Sequence, residues 1–119
     1  MSDNIFLLLE LKVKPGESDN FRQLMGEMVE FVQANEPDTL NYEWNISSDQ
    51  QSCHIYERYA DSTATMTHLG SFGANFAERF MACFEITSLQ VYGNSSDEVR
   101  EALSPFGAVF LTPIGGFAR

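Results

Sequence analysis

One stretch of the chain, Cys53 to Leu69, decides the fold and reads CHIYERYADSTATMTHL. Its first seven residues are rich in aromatic and β-favouring side chains, which predicts a strand. After Asp61 the pattern restarts on a helical period, so the strand runs directly into a helix. Asp61 has a short acceptor side chain that can cap the first helical turn, with Ser62 and Thr63 as alternative caps.

The residues before this stretch predict a strand, a helix and a second strand. Alternating apolar residues give a strand from Ile5 to Val13, which Lys14-Pro15-Gly16 ends. An amphipathic helix follows, with Ser18 or Asp19 as its cap. Apolar and polar residues then alternate from Leu40 to Ile46, and a polar loop from Ser47 to Gln51 predicts an antiparallel hairpin with the strand at Cys53.

Two short helices and a fourth strand are predicted after the central stretch. Gly70 and Gly73 interrupt the helical pattern, so we place a helix break near residues 71–73. A fourth strand is expected from Ile86 to Tyr92. Ser95 or Ser96 then caps a short helix through Leu103, with Val99 facing inward.

This order of elements is typical of an α+β, ferredoxin-like split β-α-β fold with a four-stranded antiparallel sheet. We expect residues 1–103 to form one domain and residues 104–119 a C-terminal arm that packs on it or on a dimer partner. The helices of such a unit cover one face of the sheet only. Because Phe6 and Leu8 place apolar side chains on the other face, we expect a second, identical subunit to cover it.

Composition excludes several classes of function. The chain of 119 residues has a formal net charge of -10, which disfavours nucleic acid and anionic membranes as partners. Its start lacks the features of a signal peptide, and no apolar run is long enough to cross a bilayer, so the expected compartment is the cytoplasm. Cys53 and Cys83 are expected to be reduced core thiols, because they are too few for a disulfide framework or a zinc site.

His68 is the main candidate for chemistry, because a histidine can exchange a proton near neutral pH. The alternative is a buried histidine bonded to the backbone. Glu57 shares a strand face with Tyr59, so its carboxylate is half-buried or lines a pocket, and His68 or a tyrosine hydroxyl is its expected partner. His54, near the hairpin, is expected at the surface. No nucleophile elbow, metal-ligand spacing or phosphate-binding glycine loop is present in the sequence.

Three tyrosines, Tyr42, Tyr59 and Tyr92, are candidates for hydrogen bonds to a bound quinoid oxygen. Each is also compatible with a core aromatic side chain whose hydroxyl is solvated. Leu9 and Phe72 complete the set of expected substrate-binding residues.

An ordered set of short motifs resembles the antibiotic biosynthesis monooxygenase domain over about residues 5–92. The set is Val13-Lys14-Pro15-Gly16 with the Phe21 helix, Glu36-Pro37, Asn41-Tyr42-Glu43, Tyr56-Glu57-Arg58-Tyr59-Ala60-Asp61, Ala64 and His68-Leu69. The resemblance implies a dimeric α+β barrel of ferredoxin-like subunits. Members of the family include cofactor-independent oxygenases of phenols and quinols, haem-degrading enzymes and a sugar isomerase.

The resemblance also implies a pocket between sheet and helices into which His68 faces. Haem-degrading members have Trp at the position of His68, Asn at that of Leu9 and an iron-ligating His near Glu78, so haem is not expected here. We therefore expect no cofactor, and a monooxygenase of a small aromatic phenol or quinol with His68 as base. The alternatives are a non-enzymatic dimer that binds a small molecule or serves a stress response, and a cofactor-free isomerase.

Overall fold

The computed structural model of the protein describes residues 2–119. Its strands are β1 (Ile5–Val13), β2 (Thr39–Ile46), β3 (Ser52–Tyr59), β4 (Phe84–Tyr92) and β5 (Val109–Leu111). Its α-helices are α1 (Ser18–Asn35), α2 (Ser62–Asn75), α3 (Ala77–Cys83) and α4 (Asp97–Leu103), and a 3-10 turn follows at Ser104–Phe106.

The strands form one mixed sheet in the order β2-β3-β1-β4-β5. The first four strands pair antiparallel, as predicted for a ferredoxin-like fold, and the hairpin between β2 and β3 is confirmed. The prediction of a four-stranded sheet is wrong by one strand, because β5 pairs with β4 in parallel. Residues 109–111 of the C-terminal segment thus lie on the subunit's own sheet.

Two other local predictions need correction. The helix runs through Gly70 and Gly73 and breaks at Phe76 rather than at residues 71–73. At the start of α1 neither Ser18 nor Asp19 is the cap: Glu17 holds that position, with no hydrogen bond from its side chain to the helix amides.

Two caps are as predicted. Asp61 accepts a hydrogen bond from the backbone amide of Ala64, at 2.8 Å, and so begins α2 directly after β3. Ser96, one of the two predicted alternatives, accepts from the amide of Val99 and begins α4.

The helices cover one face of the sheet, and the core lies between them. One cluster of buried side chains joins α1 and α3 to the sheet and includes Phe21, Phe80 and Phe84. A second cluster joins α4 to the sheet and includes Val91, Val99 and Leu103. The half-buried Leu9 packs against both clusters.

Cys53 and Cys83 are both free and buried, as expected. Burial raises the pKa of the Cys53 thiol to about 11. In residues 2–119 no helix combines the length and apolar character required to span a membrane.

Candidate functional site

A cavity of about 430 Å³ lies between the helices and the covered face of the sheet. Its lining is mostly apolar. The residues that line it are Leu7, Leu9, Met28, Tyr42, Ile55, Glu57, Met66, His68, Leu69, Gly70, Phe72, Gly73, Ala77, Phe80, Met81, Ile86, Leu89, Ala102, Leu103 and Phe106. The ionisable side chains among them are Tyr42, Glu57 and His68 alone, within the part of the chain that the structure describes.

His68 lies on α2 and is 5 % exposed. Its Nδ1 lies 2.8 Å from Oε1 of Glu36. When Oε1 of Glu36 accepts this hydrogen bond, the ring hydrogen of a neutral imidazole lies on Nδ1 and Nε2 carries the lone pair. The rings of Tyr42 and Tyr59 each pack against His68, with their centres 5.3 Å from that of its ring.

Glu57 lies on β3 and is 4 % exposed. It pairs with Tyr42 of β2 and Leu7 of β1, so these three residues form one row across the covered face. The Tyr59 hydroxyl donates a hydrogen bond to Oε1 of Glu57, and Nε2 of His68 lies 3.4 Å from the same oxygen. The two partners expected for a buried carboxylate at this position, a histidine and a tyrosine hydroxyl, are therefore both present.

Glu36 is the member of the site that sequence reasoning missed. It follows the last residue of α1, is 5 % exposed, and its Oε1 also accepts from the Thr39 hydroxyl at 2.9 Å. Its Oε2 is enclosed and has no partner among the described residues. The available signal was the pair Glu36-Pro37, which belongs to the set of motifs that resembles the family, but no role was assigned to the Glu36 carboxylate.

The environment changes the pKa of both cavity-lining acid–base groups. Burial opposes the charge on His68, but the hydrogen bond to Glu36 and the charges of Glu57 and Glu36 outweigh it, so the pKa of His68 is raised. Burial also raises the pKa of Glu57, against the opposing effects of His68 and the Tyr59 hydrogen bond. The pKa values of Tyr42 and Tyr59 are raised mainly by burial, which keeps both hydroxyls protonated as donors.

This arrangement can accept a proton and hold the resulting charge. A proton received at Nε2 of His68 gives an imidazolium that faces the Glu36 carboxylate at 2.8 Å. A neutral Glu57, favoured by its raised pKa, can donate a hydrogen bond to an oxygen in the cavity.

The structure brings most of the predicted site residues together. Leu9, Tyr42, Glu57, His68 and Phe72 line the cavity. Tyr59 lies behind Glu57, fully buried, and reaches the site through its hydroxyl.

Tyr92 is the exception among the predicted site residues. It pairs with Phe6 on the opposite, uncovered face of the sheet and is 38 % exposed. Its hydroxyl is thus separated from the cavity by the sheet itself, because successive side chains of a strand point to opposite faces.

The second histidine, His54, is partly exposed, with Nε2 3.4 Å from Oε1 of Glu10. No group of three or more His, Cys, Asp or Glu side chains in residues 2–119 is placed to hold a metal ion.

The family model described as antibiotic biosynthesis monooxygenase matches residues 4–85 of the chain. This range contains β1 to α3 and the Glu36–His68–Glu57 cluster. It ends before α4, which contributes Ala102 and Leu103 to the cavity, and before the 3-10 turn, which contributes Phe106.

Solved structures of similar fold include MupZ from Pseudomonas fluorescens, with a TM-score of 0.88 and 20% sequence identity over 100% of this chain and 91% of that chain. They also include SnoaB from Streptomyces nogalater, described as a cofactor-independent oxygenase, with a TM-score of 0.67 and 15% identity over 80% of this chain and 96% of that chain. At these identities the likeness concerns the fold. No curated protein matches the chain.

Proposed function

The chain belongs to the antibiotic biosynthesis monooxygenase family, and on that premise we propose that it is a cofactor-independent monooxygenase of a small aromatic phenol or quinol. In this proposal His68 is the general base. The observation that carries it is a buried histidine, oriented by Glu36 at 2.8 Å, at the polar part of an otherwise apolar cavity. The fold shared with SnoaB, described as a cofactor-independent oxygenase, supports the same reading.

The proposed reaction begins when Nε2 of His68 removes the phenolic proton. The resulting phenolate is electron-rich at the ring carbon para to the oxygen, and it reduces molecular oxygen to form a peroxide at that carbon. Loss of water then gives the quinone, so a phenol with a free para position and one O2 yield one quinone and one water. The substrate supplies all four electrons, and no external reductant is required.

The remaining polar groups position the substrate and stabilise charge. Glu36 holds the imidazole and stabilises the imidazolium, as the third group of a catalytic triad does. Glu57, kept in place by the Tyr59 hydroxyl, is available as a hydrogen-bond donor to the quinoid oxygen. The Nε2 to Oε1 separation of 3.4 Å is long for a hydrogen bond, which leaves the lone pair of Nε2 available to the substrate.

Oxygen uptake with a panel of phenols and hydroquinones tests the proposal. We expect uptake that His68→Ala lowers by about 10²-fold or more, the usual range for loss of a general base. His54→Ala is the matched control and should retain full activity, because His54 lies outside the cavity. Tight binding of phenols without oxygen uptake would reject the monooxygenase.

A second candidate, a cofactor-free isomerase, is supported by the adjacency of the His68 base and the Glu57 carboxyl group, whose pKa is raised by burial. His68 can remove a proton beside a carbonyl group and Glu57 can donate one to its oxygen, which is the pairing that enolisation requires. Incorporation of deuterium from solvent into a hydroxyketone, without oxygen uptake, would favour this candidate over the first.

A further inference from the structure

The cavity has its polar groups on one side only. Tyr42 and Glu57 belong to β2 and β3, at one side of the sheet, and His68 lies against them. Leu89 belongs to β4, and β1 separates it from β3. Two strand spacings of about 4.8 Å place these strands about 10 Å apart. A ligand that fills the cavity therefore meets polar groups at one end and apolar side chains along its remaining length.

The apolar end is formed partly by a segment outside residues 4–85, which the family model matches. Leu103 is 3 % exposed and packs in the same cluster as Leu89. The 3-10 turn after it ends at Gly107, which has a φ of 77°, and this turn presents Phe106 to the cavity. Phe106 is 48 % exposed, so it lies at the boundary between cavity and solvent.

The charges around the cavity disfavour an anionic ligand. No Lys or Arg lines it, within residues 2–119, whereas Glu57 lines it and Glu36 lies directly behind His68. Lys14 donates to the Met81 carbonyl oxygen at 2.7 Å but is not part of the lining. The net charge of -10 adds a repulsive field over the whole molecule. A carboxylate, sulfonate or phosphate in the cavity would lose its hydration with no Lys or Arg among the described lining residues as partner, and His68, the lining group that can become a cation, already faces the Glu36 carboxylate at 2.8 Å.

We propose that the cavity selects uncharged ligands with one hydroxylated end and an apolar body, and that Phe106 is a specificity-determining residue for that body. The inference rests on the proposed function only in placing the reacting hydroxyl beside His68. It adds a condition on charge and a residue that lies beyond the part of the chain characteristic of the family.

Two fluorescent probes with the same skeleton test this selectivity without turnover. N-phenyl-1-naphthylamine is uncharged, and 8-anilinonaphthalene-1-sulfonate carries a sulfonate on the same anilinonaphthalene frame. Only the signal that 1-naphthol displaces is counted, so that binding elsewhere on the surface is excluded. We expect the wild-type protein to bind the uncharged probe at least tenfold more tightly. Equal affinity for both probes would overturn the inference.

Two variants of Phe106 separate apolar contact from charge. Phe106→Ala should weaken the uncharged probe about fivefold through loss of apolar contact. Phe106→Arg should weaken the uncharged probe yet strengthen the sulfonate, changing the ratio of the two affinities by about tenfold. A variant that merely disturbs the structure would weaken both probes. Ile46→Arg, at a partly exposed residue outside the cavity lining, is the control and should leave the ratio unchanged.

The two proposals fail in distinguishable ways. In one outcome the probes bind selectively, the Phe106 variants behave as expected, and the protein consumes no oxygen with any phenol. This outcome rejects the monooxygenase and supports the selectivity of the cavity. In the other outcome the protein consumes oxygen in a way that depends on His68, but it binds both probes equally or the Phe106 variants leave the probe affinities unchanged. This outcome rejects the proposed selectivity alone.

Discussion

The two faces of the sheet depart from the usual distribution of residues in opposite ways. On the covered face, Glu57 and the facing His68 are 4 % and 5 % exposed, although ionisable groups normally remain in water. On the uncovered face, Tyr56 and Tyr92 are 36 % and 38 % exposed, although aromatic side chains normally pack in a core. The strand β3 carries Tyr56 and Glu57 side by side, so one residue step separates the two environments.

The covered face buries ionisable groups at a cost in stability, whereas the uncovered face leaves aromatic side chains in contact with water. Burial of acid–base groups lowers the stability of a fold unless they are hydrogen-bonded. Such groups are typical of functional sites, and on the covered face they lie in a hydrogen-bonded network beside a cavity. Aromatic groups such as the exposed Tyr56 and the half-buried Phe6, with ring centres 6.2 Å apart, are typical of a surface that a partner covers. We therefore expect chemistry on one face and association on the other.

The largest expected effect is on the covered face. Phe84 is 0 % exposed and its ring lies 4.9 Å from that of Phe80. Phe84→Ala should lower the free energy of unfolding by about 3–5 kcal/mol, the range for loss of a buried aromatic side chain. Urea denaturation measures it, with Tyr56→Ala as the partner variant on the uncovered face. The contrast predicts a loss below about 1 kcal/mol for Tyr56→Ala in dilute, monomeric protein, and equal losses would contradict it.

The next effect concerns association through the uncovered face. We predict a homodimer in which this face of each subunit is buried against the other. Leu8 lies on it between Phe6 and Glu10, and Leu8→Glu should weaken dimerisation at least about 30-fold, or about 2 kcal/mol, because a carboxylate would be buried without a partner. Sedimentation at micromolar concentrations measures it, with Ile46→Glu as the control on the other face.

The C-terminal residues sharpen the same test. Residues 109–111 already pair with β4, whereas Ile114 and Phe117 are 100% and 81% exposed. A deletion of residues 112–119 removes the exposed part and leaves β5 in place. Weaker dimerisation after this deletion would assign the tail to the interface, and an unchanged dimer would exclude it. A monomeric full-length protein at all concentrations would reject the dimer itself.

The buried histidine predicts how stability depends on pH. Since the pKa of His68 is raised, the folded protein binds this proton more tightly than the unfolded chain. The proton on His68 therefore contributes fully to the free energy of unfolding below pH 6.5. This contribution is lost as the pH rises through the raised pKa of His68. The proton on Glu57 likewise contributes fully to the free energy of unfolding below about pH 4.5, and this contribution is lost as the pH rises through the raised pKa of Glu57.

Urea denaturation between pH 6 and 9 should show a falling free energy of unfolding for the wild-type protein. His68→Gln should flatten this dependence, and His54→Gln should not. A steeper fall in His68→Gln than in the wild type would contradict the assigned direction of the shift.

The smallest effect uses two helical glycines. A Cβ added at Gly26 of α1 or Gly73 of α2 would meet no atom within 4 Å. Both Gly→Ala variants should raise the free energy of unfolding by about 0.5–1 kcal/mol, because alanine favours the helix. Only Gly73 lines the cavity, so Gly73→Ala alone should change the affinity for the uncharged probe. Identical affinities in both variants would show that the cavity does not extend to Gly73.

Local pattern was sufficient for most of the fold. A continuous apolar face from Ile5 to Val13 predicted β1, alternation of apolar and polar residues predicted β2, and the short acceptor Asp61 predicted the start of α2. The break between α2 and α3 was misplaced because a glycine costs a helix only about 1 kcal/mol, which packing can offset. Phe72 and Phe80, with ring centres 5.1 Å apart, lie on the two sides of the actual break at Phe76 and pack together across it. The three residues of β5 are apolar but too few to predict a strand from local pattern, and their pairing depends on β4.

The site was predictable to the extent that it lies on one continuous stretch. Glu57 lies on β3 and His68 on α2, the helix that follows directly. The direction in which each side chain points follows from the period of its own element. Glu36 lies 32 residues before His68 in the chain, and its contact exists only after α1 has packed on the sheet. Tyr92 was predicted to line the site, but its neighbour Val91 is the residue that points into the core. Because successive residues of a strand point to opposite faces, Tyr92 lies on the uncovered face.

The most direct test of the proposed function follows the oxygen atoms. The protein is incubated under ¹⁸O₂ with the phenol that gives the fastest uptake, and the product is analysed by mass spectrometry after rapid quenching. A monooxygenase that uses His68 as base should place one ¹⁸O atom in the product, and His68→Ala should abolish this labelling while His54→Ala retains it. A product that carries no ¹⁸O, or labelling that persists unchanged in His68→Ala, would contradict the account.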